Sequence, residues 1–154
     1  MIKSRKAKID DLMLYFEWAN DTLVRANSIH QAPIPLESHK NWFTQKVVDK
    51  DTFMYVLEIE GKPIGQLRIE RKEEHALINY SMDKNFRGKG LGTDMLRMGI
   101  HAFQKETSPI ILIGKVQVSN LASAKIFQKL GFDQKELESI KGEEYFVFHT
   151  NKSF

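Results

Sequence analysis

The segment "NFRGKGLGTDML", Asn85 to Leu96, sets Gly88, Gly90 and Gly92 at alternate positions beside Arg87 and Lys89, ahead of an apolar run. The chemistry this pattern suits is the holding of a polyphosphate. A glycine-rich turn that opens a helix aims several backbone N–H groups and the positive helix end at one point. Without side chains at 88, 90 and 92 a phosphate can approach the backbone closely. Three glycines at a helix start cost stability with no evident structural return, so a bound anion explains them better than an empty turn.

Two specific phosphate motifs fail on spacing. A P-loop needs Gly-Lys followed by Ser or Thr, and here Gly88-Lys89 is followed by Gly90. A dinucleotide fingerprint needs G-x-G-x-x-G inside a parallel βαβ unit. Here the third glycine comes one residue early and the strands before it read as antiparallel. What survives is the physics that both share, with a pyrophosphate as the best-fitting guest.

The elements that must position this loop can be read along the chain. Its 154 residues, 42% apolar and 28% charged, suit one soluble globular domain spanning 1–154. No apolar run reaches the ~20 residues of a membrane span. The basic N-terminus leads into no apolar stretch of a secretory signal. With no cysteine, disulfides, thiolate metal sites and a cysteine nucleophile are excluded, and a cytoplasmic location is expected. No metal is called for. A net charge of +3 mildly favours an anionic ligand, but no Lys/Arg block or basic face with interleaved aromatics points to nucleic acid.

Residues 2–7 read as an edge strand, and Asp10 or Asp11 as the cap of a helix carrying Leu12, Tyr15, Phe16 and Ala19 on one face. Asn20-Asp21 ends it. The loop "HQAPIPLES" leads to a second helix over 36–48, with His39, Trp42, Phe43 and Val47 aligned. The segment "FMYVLEIEGKPIGQLRIER" is two strands around Gly61-Lys62, and "HALINYSMD" a third. After the glycine loop, Leu91, Met95, Met98, Ala102 and Phe103 mark a helix that stops before Pro109. "IILIGKVQV" reads as a fully buried strand. Leu121, Ala124, Phe127 and Leu130 mark a helix ended by Gly131, and strands at 132–140 and 144–150 flank Lys141-Gly142. The order predicts a mixed α/β sheet.

Arg87-x-x-Gly90-x-Gly92 resembles the R/Q-x-x-G-x-G/A signature of the GNAT superfamily of N-acetyltransferases. The stretch "VQVSNLASAKIFQKLGF" resembles the second signature of that family, in register with the first. The resemblance covers nearly the whole chain. It implies a central splayed, mostly antiparallel sheet of about seven strands flanked by about four helices, with acetyl-CoA between the fourth and fifth strands. It also implies residue roles. Backbone amides of Arg87, Gly88, Lys89, Gly90, Leu91, Gly92 and Thr93 would hold the CoA pyrophosphate. The Met82 main chain would pair with the pantetheine arm, the amide near Tyr80 would polarise the thioester carbonyl, and Asn120 would orient the arm from the other side. Asn120 also suits a plain helix N-cap, and Phe127 reads as core or as a wall of the channel. Where many family members have a Tyr acid, this chain has Phe127, and from Ala76 to Met82 it has no carboxylate.

With no cysteine, the expected reaction is direct attack of an amine on the thioester. The missing base favours an acceptor amine of lowered pKa, such as an amino sugar or an N-terminal amine. Candidate proton handlers are Ser81, which the resemblance places at a bulge beside the thioester, and His39 and His30. His39 equally suits a packed core histidine. The acceptor is expected among Trp18, Asn20, Asn27, His30 and Trp42, where Trp faces and amides could grip a sugar or a base. This stretch resembles the N-terminal half of the acetyltransferases of pseudaminic acid biosynthesis, which act on the 4-amino group of a UDP-linked 4-amino-4,6-dideoxy sugar. The resemblance therefore implies a nucleotide-sugar acceptor and allows a homodimer. Alternatives are an N-terminal acetyltransferase of ribosomal proteins, an antibiotic-modifying enzyme, and a non-catalytic acyl-CoA sensor.

Overall fold

In the computed structural model, which describes residues 1–150, seven strands form one sheet in the order β1-β2-β3-β4-β5-β7-β6. They are β1 Ile2–Lys6, β2 Thr52–Ile59, β3 Lys62–Lys72, β4 His75–Met82, β5 Ile111–Gln117, β6 Asp133–Ile140 and β7 Glu143–His149. The helices are α1 Leu12–Ala19, α2 Thr22–Ala26, α3 Leu36–Lys46, α4 Gly92–Glu106 and α5 Leu121–Lys129. No helix among the described residues is long and apolar enough to cross a membrane.

Every strand pair is antiparallel except β4–β5. That parallel pairing runs only from His75↔Ile111 to Ile78↔Gly114. β4 stays paired with β3 as far as Gly65↔Met82, and β5 with β7 as far as Gln117↔Tyr145. Past Ile78 and Gly114 the sheet therefore splits into two arms, each anchored on its outer side.

Alternation of side chains gives the sheet two different faces. Along β2, Phe53, Tyr55 and Leu57 join the larger core with Met95, Leu96 and Phe103 of α4 and Phe127 of α5. Met54 and Val56 point the other way, under Tyr15 and Trp18 of α1 and Phe43 of α3. Burial from both sides is why Thr52 to Leu57 has no exposed residue.

Three local expectations are corrected. A short 3-10 turn, Ile9–Asp11, precedes α1, and Asp11 does not cap that helix with its side chain. Its carboxylate accepts from the Lys8 amide and from the Arg5 guanidinium at 2.8 and 2.9 Å. The short α2 is an additional helix: Asp21, read as the end of α1, caps it through Leu23 and Val24 N–H. β5 is covered on one side only, with Leu112, Gly114 and Val116 facing the core while Ile111 and Lys115 are exposed.

Candidate functional site

The split between β4 and β5 leaves main-chain groups without strand partners. The Asp83 N–H donates to the Ile64 carbonyl at 2.8 Å, toward β3. Alternation along an antiparallel strand then turns Ser81 and Asn79 toward β3, and the N–H and C=O of Tyr80 and Met82 into the cleft. The register with β3 runs unbroken from His75 to Met82, so β4 carries no bulge at Ser81; the irregularity lies between β2 and β3 at Leu57/Glu58.

The glycine loop lies beyond the end of β4, after a 3-10 turn at Lys84–Phe86. Gly88 (φ +75°) and Gly90 (φ +73°) are in the left-handed region, with open space where a Cβ would be. Gly90 is followed by Leu91 in the right-handed helical region at the start of α4. Such left–right successions turn consecutive N–H groups into an anion-receptive concavity. Gly92 has a different reason: a Cβ there would lie 2.6 Å from Ile126 Cδ1, so its absence lets α4 pack on α5. Gly92 thus has a packing role that spacing did not reveal, while Gly88 and Gly90 supply left-handed backbone. The Arg87 side chain is engaged elsewhere, donating to Asp21 Oδ1 at 2.7 Å, while Lys89 Nζ lies 5.5 Å from the Phe86 ring centroid.

Across the split, Asn120 caps α5 by accepting from the Ser123 N–H at 3.3 Å. Phe127 is core: it is 2% exposed, stacked on Phe148 at 5.4 Å and edge-on to Phe132 at 5.0 Å. A Cβ on Gly114 would come within 2.5 Å of its ring. Beside Phe127, which has no hydroxyl, stands that of Tyr80, a residue the sequence singled out only for its amide. Tyr80 Oη and Ser123 Oγ are 2.6 Å apart, joining β4 to α5. Burial holds the Tyr80 hydroxyl above its ordinary range, with the Ser123 hydrogen bond pulling the other way, so it stays protonated.

On the opposite face, the residues expected to bind an acceptor divide sharply. Trp18 is buried and donates its indole N–H to Asp83 Oδ2 at 2.9 Å. Asn20 makes two bonds with Ile34, donating to its carbonyl at 3.0 Å and accepting from its N–H at 2.7 Å. His39, 2% exposed, donates from Nε2 to the Leu12 carbonyl at 2.8 Å among the Phe16, Trp42 and Phe43 rings. Burial lowers its pKa, and the packed-histidine reading is the one the geometry supports. His30 is exposed and accepts from Lys141 Nζ at 2.9 Å, joining the loop after α2 to the β6–β7 turn. Asn27 is the α2 C-cap. Trp42, half-buried, faces the Arg68 guanidinium.

A row of polar side chains that sequence reading missed forms the floor beside Trp42. Gln66, Arg68 and Glu70 of β3 register with Ser81, Asn79 and Leu77 of β4. Gln66 Nε2 donates to Asn79 Oδ1 at 3.1 Å and to Ser81 Oγ at 3.2 Å. The signal was available in "GQLRIER", where polar residues alternate inside a covered strand.

The family described as "Acetyltransferase (GNAT) domain" matches residues 3–133. The chain belongs to the GNAT acetyltransferase family. An uncharacterized N-acetyltransferase of Methanocaldococcus jannaschii is 31% identical over 102 residues, 61% of this chain and 43% of that protein. The matched region thus spans less than half of that relative. The fold is that of two solved structures. The aminoglycoside acetyltransferase AAC(6')-Ib in complex with coenzyme A has a TM-score of 0.80 at 17% identity, over 97% of this chain and 94% of that one. The spermidine N-acetyltransferase from Vibrio cholerae in complex with CoA and spermine has a TM-score of 0.83 at 13% identity, over the same shares, 97% and 94%. In this GNAT chain the glycine loop opens α4 and the stretch from Asn120 forms α5, both packed on the same face of the sheet.

Proposed function

We propose that this chain is an acetyl-CoA-dependent N-acetyltransferase that acts on a primary amine by direct attack. The observation that carries this reading is the parting of β4 and β5, which leaves the Tyr80 and Met82 main chains unpaired in a cleft leading to the anion-receptive loop. The arrangement fits an acetyl-CoA whose pyrophosphate meets the N–H groups of residues 87–93 and whose pantetheine arm pairs with Met82 as an added strand would. The Tyr80 N–H would polarise the thioester carbonyl. As the amine nitrogen bonds to the carbonyl carbon, the C–S bond breaks, the amine proton passes to water, and the thiolate takes a proton from the Tyr80–Ser123 hydroxyl pair. That pair replaces the acid that Phe127 cannot supply.

For the acceptor we favour an amino sugar linked to a nucleotide, bound over the polar floor beside Trp42. Glu73 and Glu74 sit in the β3–β4 turn, at the other end of β4 from the cleft, and Glu70 is engaged by Lys46 at 2.8 Å. An acidic groove for a polycation is thus not what these carboxylates build, although the fold neighbours act on aminoglycosides and spermidine.

The test is thiol release from acetyl-CoA with a UDP-4-amino-4,6-dideoxy sugar, an N-terminal peptide, an aminoglycoside and spermidine at matched concentration. The chain has no cysteine, so the background is clean. Turnover on the nucleotide sugar above the others is expected. Turnover on spermidine alone would sink the acceptor assignment, and acetyl-CoA binding without release on any amine would favour a sensor.

A further inference from the structure

Arg68 stands on the floor of the acceptor face with its charge only weakly matched. Its Nε is buried without a hydrogen-bond partner. The guanidinium lies 4.8 Å from the Trp42 ring centroid. A Glu70 oxygen comes no nearer than 4.0 Å to its Nε, and Lys46 already holds that oxygen at 2.8 Å. Two residues along the same face of β3, Gln66 Oε1 is also buried and unpartnered. Native interiors rarely leave such groups unsatisfied. A guanidinium offers a planar fork of five donors, which fits a carboxylate or phosphate and no cation. The side chain is 23% exposed, enough for a ligand to reach it from the open Asn79 side.

We propose that Arg68 is a specificity-determining residue that binds an anionic group, carboxylate or phosphate, on the acceptor, while Gln66 Oε1 accepts from a donor group of the same molecule. The two residues are about 6.6–6.8 Å apart along the strand, so the acceptor carries both groups within one small molecule. Trp42 covers the guanidinium at 4.8 Å, and burial makes a charge with only a distant carboxylate beside it costly until an anion arrives. This inference rests on the acetyltransferase reading and narrows its acceptor to an amine that also carries negative charge. Lys46 on α3 is already held by Glu70 at 2.8 Å, whereas Arg68 has no hydrogen-bonded carboxylate.

The experiment uses the full chain and pairs of amines that differ in the anion: glucosamine 6-phosphate against glucosamine, alanine against alaninamide, with spermidine as a cationic control. Thiol release is expected to favour the charged member of at least one pair by tenfold or more in kcat/KM. The phosphate and carboxylate arms then tell the two sources apart. Arg68→Gln is expected to raise KM for that member about tenfold to a hundredfold and to erase the preference, with Arg68→Lys restoring part of it. A second readout needs no turnover: UDP, inorganic phosphate and acetate are titrated while Trp fluorescence is followed, with Trp42→Phe identifying the signal. Saturable quenching lost in Arg68→Gln upholds the anion site even if no amine is acetylated, which would count against the acetyltransferase reading alone. Preference for neutral or cationic amines, or fluorescence indifferent to every anion, overturns the proposal. An acetyl-CoA thermal shift in Arg68→Gln separates a local loss from misfolding.

Discussion

The two faces of the sheet are built from alternate residues of the same strands, yet they do opposite work. Under α4 and α5, β3 presents Leu67 and Ile69, and the Phe127, Phe132 and Phe148 rings close the space. On the side of α1 and α3, β3 presents Gln66, Arg68 and Glu70, and two buried polar atoms of that row lack partners. A slip of one residue in register would exchange the rows, so the pairing that makes the core also aims the recognition groups. One face is satisfied within the chain. The other is left incomplete in a way that a substrate can complete.

Removing Phe127 should show the largest effect of this division. Phe127→Ala is expected to cost about 3–5 kcal/mol, read from urea unfolding, because the aromatic stack cannot collapse around the gap. If the variant is as stable as the parent, the first face is not where the fold is held. Next comes Tyr80→Phe, which keeps the ring and removes the hydroxyl bonded to Ser123. It should lower kcat for thiol release about a hundredfold with little change in melting temperature. An unchanged kcat would return proton delivery to water.

Gly90→Val forces a β-branched residue into left-handed backbone and should cost about 1–2 kcal/mol as well as acetyl-CoA affinity. Gly90→Asn, which tolerates that conformation, should recover most of the stability without the full affinity. Recovery of both would mean that backbone shape alone, and not close approach, is what the loop requires. The smallest effect concerns His39. Its pKa is lowered in the fold, so as pH falls below about 6.5 the unfolded chain takes a proton before the folded one does, and stability declines. A melting temperature that drops between pH 7 and 5.5, with His39→Gln flattening the slope, is the expected profile.

The parts legible in the sequence were those that repeat a local rule. The strand and helix order, the glycine loop and Asn120 as a cap all follow from periodicity, glycine spacing or side-chain reach. Helix α2 escaped because five residues are too few for a periodic signal, and its one mark, Asp21, doubles as an apparent stop. Trp18 and His39 looked like ligands because their types invite it; only the partners brought by folding, Asp83 and the Leu12 carbonyl, show that their polar atoms are engaged. Arg68 escaped for the converse reason. A basic residue in an alternating strand reads as solvent-facing until a helix pair is seen to cover the strand.

Asn20 carries a consequence for how such a chain can diversify. Its two bonds to Ile34 close the segment between them at its base, like a buckle. Loop length inside that closure is entropically cheap to change. Replacing residues 22–33 with segments of other lengths should therefore leave acetyl-CoA binding intact while altering which amines are taken, provided that Asp21 stays to hold Arg87. On that expectation residues 22–33 form an interchangeable cassette at the edge of the proposed acceptor floor, and the buckle is the join at which one cassette can be exchanged for another.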